Sequence, residues 1–242
     1  MVRPALVLLY GFLGFSRCGL IEYFRGVEHA LRQARIAPLV PEVPPAGTVA
    51  ERAEALASQL FRIDASSFSL VAHSMGGLDA RHLITHLDPD RRVKSLLTIA
   101  TPHRGMPVAD WLLESCGLIP AWIRYMGRPG LDELTPEARA AVQIPDRLDV
   151  AYASYAGCRP LNELPFWLRP FGRIVSGDSD GLVPIDSAQW GEFRGIMHTD
   201  HFEFEGWSLA LSNSQGKRPF DHFRFWKEAA SEAMAAAENT IS

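Results

Sequence analysis

The stretch that decides the fold is Phe68-Ser-Leu-Val-Ala-His-Ser-Met-Gly-Gly-Leu78. It begins as a short apolar strand, breaks at Ala72-His73 and opens a helix almost at once. Ser74 stands at the break, with Ala72 two residues before it and Gly76 two residues after. A strand that reverses into a helix so quickly crowds those two flanking positions, so that only Gly or Ala fits. The same reversal forces the central residue into a strained backbone conformation. Its hydroxyl is then held above the sheet edge at a helix N-terminus, where peptide dipoles favour developing negative charge. The pattern reads A-x-S-x-G, and five residues alone specify little. The neighbouring chain has to supply the rest.

Upstream, residues 5–10 form a continuous apolar run, as expected of a strand buried on both faces of a parallel sheet. The run ends in Tyr10-Gly-Phe-Leu-Gly14, where two glycines permit unusual dihedrals. Phe24, Val27, Leu31 and Ala34 then recur at helical spacing. Residues 38–43 read as a second, weaker strand. Thr48-Val-Ala-Glu51 matches a capping box, with Val49, Ala53, Leu56 and Leu60 as the apolar stripe behind it. Downstream of the break, residues 93–99 are another buried strand, ending in Thr101-Pro-His-Arg-Gly105. Residues 173–176 are the next strand candidate, running into Gly177-Asp-Ser-Asp-Gly-Leu-Val-Pro184. After a loop holding His198 and His201, Pro219 opens a final helix to about residue 238. This alternation predicts an α/β fold with a doubly wound, mostly parallel sheet, whose ligands bind at the carboxyl ends of the strands.

The alternation breaks between residues 106 and 171. Val108, Trp111, Leu112, Ile119, Trp122, Ile123 and Met126 keep helical spacing, but Pro107, Gly117, Pro120 and Gly127 cut the segment into short pieces. Residues 164–171 are equally apolar and interrupted by Pro165 and Pro170. Such helices either pack on the core or form a mobile cap over the site. Short breakable elements rich in Trp, Phe and Leu favour the cap. The expected organisation is one domain over residues 1–242, with a helical cap or lid inserted at roughly 106–170.

Composition narrows the function. A chain of 242 residues with 47% hydrophobic and 21% charged residues is an ordinary globular protein. A net charge of -4 provides no basic field for nucleic acid. Three cysteines, Cys18, Cys116 and Cys158, lack metal-ligand spacing and read as reduced thiols. The apolar N-terminal stretch is broken by Gly11 and Gly14 and has no small-residue cleavage site, so it reads as a core strand rather than a leader. The expected location is cytoplasmic; a leader removed upstream of Met1 is compatible with the same sequence.

A serine hydroxyl is a poor nucleophile until a neighbouring base takes its proton, and the base needs a third group to orient it. Strand-end loops supply candidates in the chain order Ser, Asp, His that this architecture uses. Asp180 is the chosen acid, beside a strand end and a turn that Gly181 permits, with Asp178 the competitor. The base is assigned to His201 in Asp200-His-Phe-Glu-Phe, with His198 as runner-up. The oxyanion formed by attack on a carbonyl needs two donors already in place. The backbone N–H of Met75 is one, and that of Phe12, after Tyr10-Gly11, is the natural second.

Together, Ala72-His-Ser-Met-Gly-Gly77, Tyr10-Gly-Phe-Leu-Gly14, Thr101-Pro-His-Arg-Gly105, Asp180-Gly-Leu-Val-Pro184 and Asp200-His201-Phe resemble the bacterial true lipases of the α/β-hydrolase superfamily. Weaker likeness extends through Leu134-Thr-Pro-Glu-Ala138 and residues 152–157. The resemblance implies Ser74 as nucleophile, Asp180 as acid, His201 as base, Phe12 and Met75 as oxyanion donors, and residues 106–127 as the lid region. It also implies hydrolysis of acylglycerol esters through an acyl-serine intermediate, with lipid contact through the cap. A short-chain esterase, a thioesterase or an acyltransferase would use the same residues, and a non-catalytic lipid-surface protein could keep the fold. Two departures stand out. The family's usual His-Gly in the oxyanion loop is Tyr10-Gly11 here, so the tyrosine hydroxyl must replace the histidine's hydrogen bonds or they are lost. Secreted members often hold calcium between two aspartates near the histidine. Here Glu203 takes the downstream position and no Asp matches around Cys158, so neither metal nor cofactor is expected.

Overall fold

A computed structural model of the chain describes residues 3–19, 21–114, 121–207 and 220–241, with only the backbone at 18, 121–126 and 241. Strand β1 (Ala5–Leu9) leads into a small antiparallel ribbon, β2 (Arg17–Cys18) with β3 (Ile21–Glu22). Helices α1 (Val27–Gln33) and α2 (Val49–Leu60) precede β4 (Phe68–His73). Helix α3 (Gly76–His82), prolonged by a π turn over Leu83–Leu87, leads to β5 (Val93–Ile99). Helices α4 (Pro107–Glu114), α5 (Ala121–Asp132) and α6 (Pro136–Ala141) come before β6 (Ala151–Gly157). Helices α7 (Arg169–Ile174) and α8 (Ile185–Ala188), strand β7 (Glu192–Met197), a 3-10 turn at Glu203–Glu205 and helix α9 (His222–Ile241) follow.

The sheet runs β1-β4-β5-β6-β7 with every pair parallel. Successive residues of the apolar strands feed opposite faces, as a pleated strand requires. Leu6, Leu8, Leu97 and Ile99 pack with Leu31 of α1 and Trp226 of α9. Val7, Leu9, Leu70 and Leu96 pack on the other face with Leu56 and Leu60 of α2 and Ala80 of α3. The alanines of α9 have a use here: Ala229, Ala230 and Ala233 are buried, and Ser95 Oγ donates to Ala233 O at 2.7 Å. The capping box of α2 forms as the sequence predicts, with Glu51 N donating to Thr48 Oγ1 and Thr48 N to Glu51 Oε2. Among the described residues no helix is long and apolar enough to cross a membrane.

Several elements differ from their sequence expectation. Residues 173–176 are not a strand; helix α7 starts at Arg169, with Pro170 in its first turn, and runs to Ile174. The strand expected over 38–43 shrinks to a single bridge, Val7 with Leu39, because Pro38, Pro41, Pro44 and Pro45 leave few donors to extend it. Ala34 lies just past the end of α1 and is exposed. Strand β7, unforeseen, is an edge strand whose residues are largely exposed, so it offers no apolar run to read. Pro219, Cys116, Gly117, Ile119 and Pro120 lie outside the described residues, and Cys158 is a free thiol.

Candidate active site

Ser74 has φ 54°, a left-handed conformation rare for a residue with a side chain, and its N–H donates to Ile99 O at 2.9 Å. The strain predicted for the bend is therefore present. The glycine requirement at position 76 comes from elsewhere than the bend itself. A Cβ there would lie 2.8 Å from Tyr10 O and 2.9 Å from Leu9 O, so α3 starts hard against the end of β1. Gly11 is equally constrained, since a Cβ would fall 2.6 Å from Ser74 Cβ. The Tyr10–Gly14 glycines thus serve close approach, while the positive φ in that loop (56°) belongs to Leu13.

His201 Nε2 lies 3.1 Å from Ser74 Oγ, and its Nδ1 lies 2.7 Å from Asp180 Oδ2. Asp180 is fully buried, and its other oxygen accepts from the N–H groups of Leu182 (2.9 Å) and Val183 (2.8 Å). A carboxylate only accepts, so Nδ1 carries the imidazole proton and Nε2 is left to receive the serine's. Burial pulls the His201 pKa down, but the charge and hydrogen bond of Asp180, with Glu205 and Asp200, outweigh it and leave it above 6.5. The alternatives fall away on geometry. His198 is exposed and bonds Glu163 at 2.8 Å, and Asp178 is exposed and closes its turn through its main-chain carbonyl to Ile185 N.

Asp180 does not follow a strand directly. Helix α7 intervenes, and the Asp180 turn is instead docked onto the end of β6. Arg159 N donates to Ser179 O at 2.9 Å, His201 N donates to Asp180 O at 3.0 Å, and a Cβ on Gly157 would lie 2.9 Å from Asp180 Cβ. Gly181, at φ 97°, makes the turn.

The main-chain N–H groups of Phe12 and Met75 donate to no protein acceptor among the described residues, which leaves both open beside Ser74. Their loop is held by a residue the sequence reading missed. Arg52, fully buried, donates to Tyr10 O (2.8 Å), Gly11 O (3.2 Å) and Pro44 O (2.9 Å), and pairs with Asp79 at 2.8 Å. Its position three residues after Val49 and four before Leu56, on the apolar stripe of α2, was the available signal. The Asp79 carboxyl is pushed up to about 7, chiefly by burial, with Arg52 pulling it back. The Tyr10 hydroxyl accepts from Val43 N at 2.8 Å. The ring of Phe12 sits against α5, where a Cβ on Gly130 would lie 2.9 Å from it.

Beneath His201, the buried His73 ring lies 4.7 Å away. Its Nδ1 is 2.9 Å from Tyr23 Oη and 3.1 Å from Glu205 Oε1, while Gly11 N donates to Tyr23 Oη at 3.1 Å. Burial, chiefly, lowers the His73 pKa, so it adds no positive charge beside His201. Behind the His201 loop, Arg159 reaches Glu203 Oε2 (2.6 Å) and Asp200 Oδ2 (3.7 Å). A guanidinium thus supplies the positive charge between these carboxylates. Asp200 is still raised to about 6 by burial and by Glu203. Among the described residues no group of three or more His, Cys, Asp or Glu could hold a metal ion.

Ser74 and His201 open into a cavity of about 580 Å³ with otherwise largely apolar walls, among them Met106, Val108, Leu134, Trp167, Phe171 and Trp207. The site therefore places a hydroxyl and an oriented base at a greasy pocket, the arrangement that activates a serine for attack on an acyl group.

This sheet, with its serine on a strained turn between β4 and α3, has the α/β-hydrolase fold. A family profile described as PGAP1-like alpha/beta domain matches residues 55–116. Triacylglycerol lipase 2 of Saccharomyces cerevisiae is 31% identical over 233 residues, covering 81% of this chain and 66% of the yeast protein. A triacylglycerol lipase of Pseudomonas fragi is 29% identical over 114 residues, covering 46% of this chain and 38% of that protein. The chain thus spans less than two thirds of the length of either relative. The crystal structure of Staphylococcus hyicus lipase superposes with a TM-score of 0.73 at 16% identity, covering 98% of this chain and 96% of that one. The chain is thus similar in sequence to these triacylglycerol lipases and shares its fold with the staphylococcal lipase.

Proposed function

We propose that the protein is a serine carboxylester hydrolase, a lipase acting on acylglycerols or similar acyl esters. Ser74 Oγ attacks the acyl carbonyl while His201 Nε2 takes its proton, with Asp180 holding the imidazole. The oxyanion is met by the N–H groups of Phe12 and Met75. The alcohol leaves with the proton from His201, and water then releases the acid from the acyl-serine. One observation carries the reading: Ser74 Oγ, His201 and Asp180 connected at 3.1 and 2.7 Å at the mouth of an apolar cavity. The chain from Met106 to Leu134 and the segment leading into α7 act as the cap over that cavity; the insertion expected over 106–170 is not continuous, since β6 within it is a strand of the central sheet. Leu13 and Ile21, which line it yet are 45% and 49% exposed, give a lipid surface something to meet.

The test is Ser74→Ala. Hydrolysis of a soluble ester should fall by about 10⁶-fold with the far-UV spectrum and melting temperature retained. A fluorophosphonate should label the unmodified protein at Ser74, as read by peptide mapping. Normal turnover in the variant, or labelling elsewhere, overturns the proposal.

A further inference from the structure

The loop after β5 lines two cavities. Met106 belongs to the apolar one, whereas His103 and Arg104 line a second, of about 650 Å³, which shares no lining residue with the first. Its other polar walls are Arg81 from α3, Arg139 from α6, and Trp190. The charges there do not balance. Arg81 lies over the Trp190 ring at 3.5 Å, donates to Ile144 O at 2.7 Å and has one carboxylate, Asp146, at 3.6 Å. Asp146 is also held by Trp190 Nε1 at 2.8 Å. Among the described residues the Arg104 guanidinium donates to the carbonyls of Asp186 and Gln189 and to no carboxylate. Arg139 is 9% exposed, and among the described residues its guanidinium makes no hydrogen bond or ion pair. The acids nearest it in charge, Glu133 and Asp79, are already engaged by Val49 N and Arg52. His103, 5% exposed, bonds Thr98 Oγ1 through Nε2 and leaves Nδ1 without a partner.

A largely buried cation without a counter-ion is costly. Arg139 is such a cation, with Glu133 and Asp79 acting on its charge but neither in ion-pair contact with it among the described residues. The exposed Arg104 adds a second positive charge to the same cavity, and the planar arginine fork matches phosphate oxygens. The volume is that of a small-molecule site rather than of a single ion. We infer that this cavity binds a phosphate monoester, its phosphate held by Arg139 and Arg104. The same chemistry occurs on a soluble metabolite and on an acidic lipid head group. Burial, together with the three arginines, holds the His103 pKa well below its ordinary value, so the imidazole adds no charge of its own to the cavity.

The test is calorimetric titration of the full chain at constant ionic strength. The probes are inorganic phosphate, glycerol 3-phosphate, and phosphatidylcholine vesicles with and without phosphatidic acid. Saturable binding of at least one phosphate probe is expected. Its Kd should rise about tenfold in Arg139→Gln, the size of one lost charge-assisted hydrogen bond, and also rise in Arg104→Gln. Arg104 is exposed, so its variant reads the site even where Arg139→Gln compromises folding. Tighter binding of glycerol 3-phosphate marks a soluble ligand, and response only to phosphatidic acid marks a head group; either supports the site. Absence of saturable binding for every probe, the same response to chloride, or a Kd unchanged in Arg104→Gln overturns it. Ester hydrolysis by Arg104→Gln should match the unmodified protein, which separates this site from the proposed catalytic one.

Discussion

His201 is under two opposed pressures. Burial favours the neutral ring, while Asp180 at 2.7 Å, with Glu205 and Asp200, favours the protonated one, and the acids win. A general base must start neutral, so activity should rise with pH through a midpoint above 6.5. Asp180→Asn removes the main raising influence while keeping the shape of the side chain. Its acid limb should move to lower pH, and kcat should fall by about 10⁴-fold because the ring loses the partner that fixes its tautomer. A pH profile of kcat/KM on a soluble ester reads both effects; a limb that stays in place assigns it to another group. Ser74, Asp180 and His201 were legible in the sequence because each sits in a short loop whose flanking residues betray it. Arg52 and Arg159 were not. Their meaning lies in partners 27 and 44 residues away in the chain, Asp79 and Glu203. No local pattern announces such a pairing. Arg52 at least left a trace, as a charge on an otherwise apolar helix face.

At the scale of elements, the strands that were legible were those buried on both faces. β1, β4 and β5 are continuous apolar runs, and their order and the helices between them follow from that pattern. β7 is an edge with largely exposed residues, and α7 is short with a proline in its first turn, so neither has the period that identifies an element. The expectation that Asp180 follows a strand failed for the same reason. What delivers it is the end of β6, where Gly157 leaves room for the Asp180 turn on one side and Phe204 on the other. Gly157 is not in the left-handed region, so alanine tests space alone. Gly157→Ala should displace the Asp180 turn by a few tenths of an ångström or more, since its Cβ would lie 2.8 Å from Phe204 and 2.9 Å from Asp180. Overpacking of this kind costs about 1–3 kcal/mol. The expected result is a fall in kcat of tenfold or more, out of proportion to a modest drop in melting temperature. Full activity in a destabilised variant would show that the turn tolerates the shift.

For the whole molecule, the two faces of the sheet are used up by helices, and the space left over is above the carboxyl ends of the strands. There the chain between β5 and β6 and the chain around α7 fold over Ser74 and leave the apolar cavity of about 580 Å³. For the proposed lipase its walls should discriminate substrates by length, because each methylene of an acyl chain moved from water onto Leu134, Phe171 or Trp167 contributes about 0.8 kcal/mol. If that contribution is realised in the transition state, kcat/KM should climb about fourfold per methylene across p-nitrophenyl esters, starting from acetate, until the cavity is full. Trp167→Ala removes a wall that packs edge-on against Phe202 at 5.0 Å, beside His201, without touching Ser74, His201 or Asp180. The slope with chain length should flatten in that variant while the rate on acetate changes little, since acetate does not reach the wall. A profile that is flat or falling from acetate in the unmodified protein would instead describe a short-chain esterase whose cavity serves another purpose. The slope is therefore the quantity that divides the two enzymes this fold could build from the same serine, histidine and aspartate.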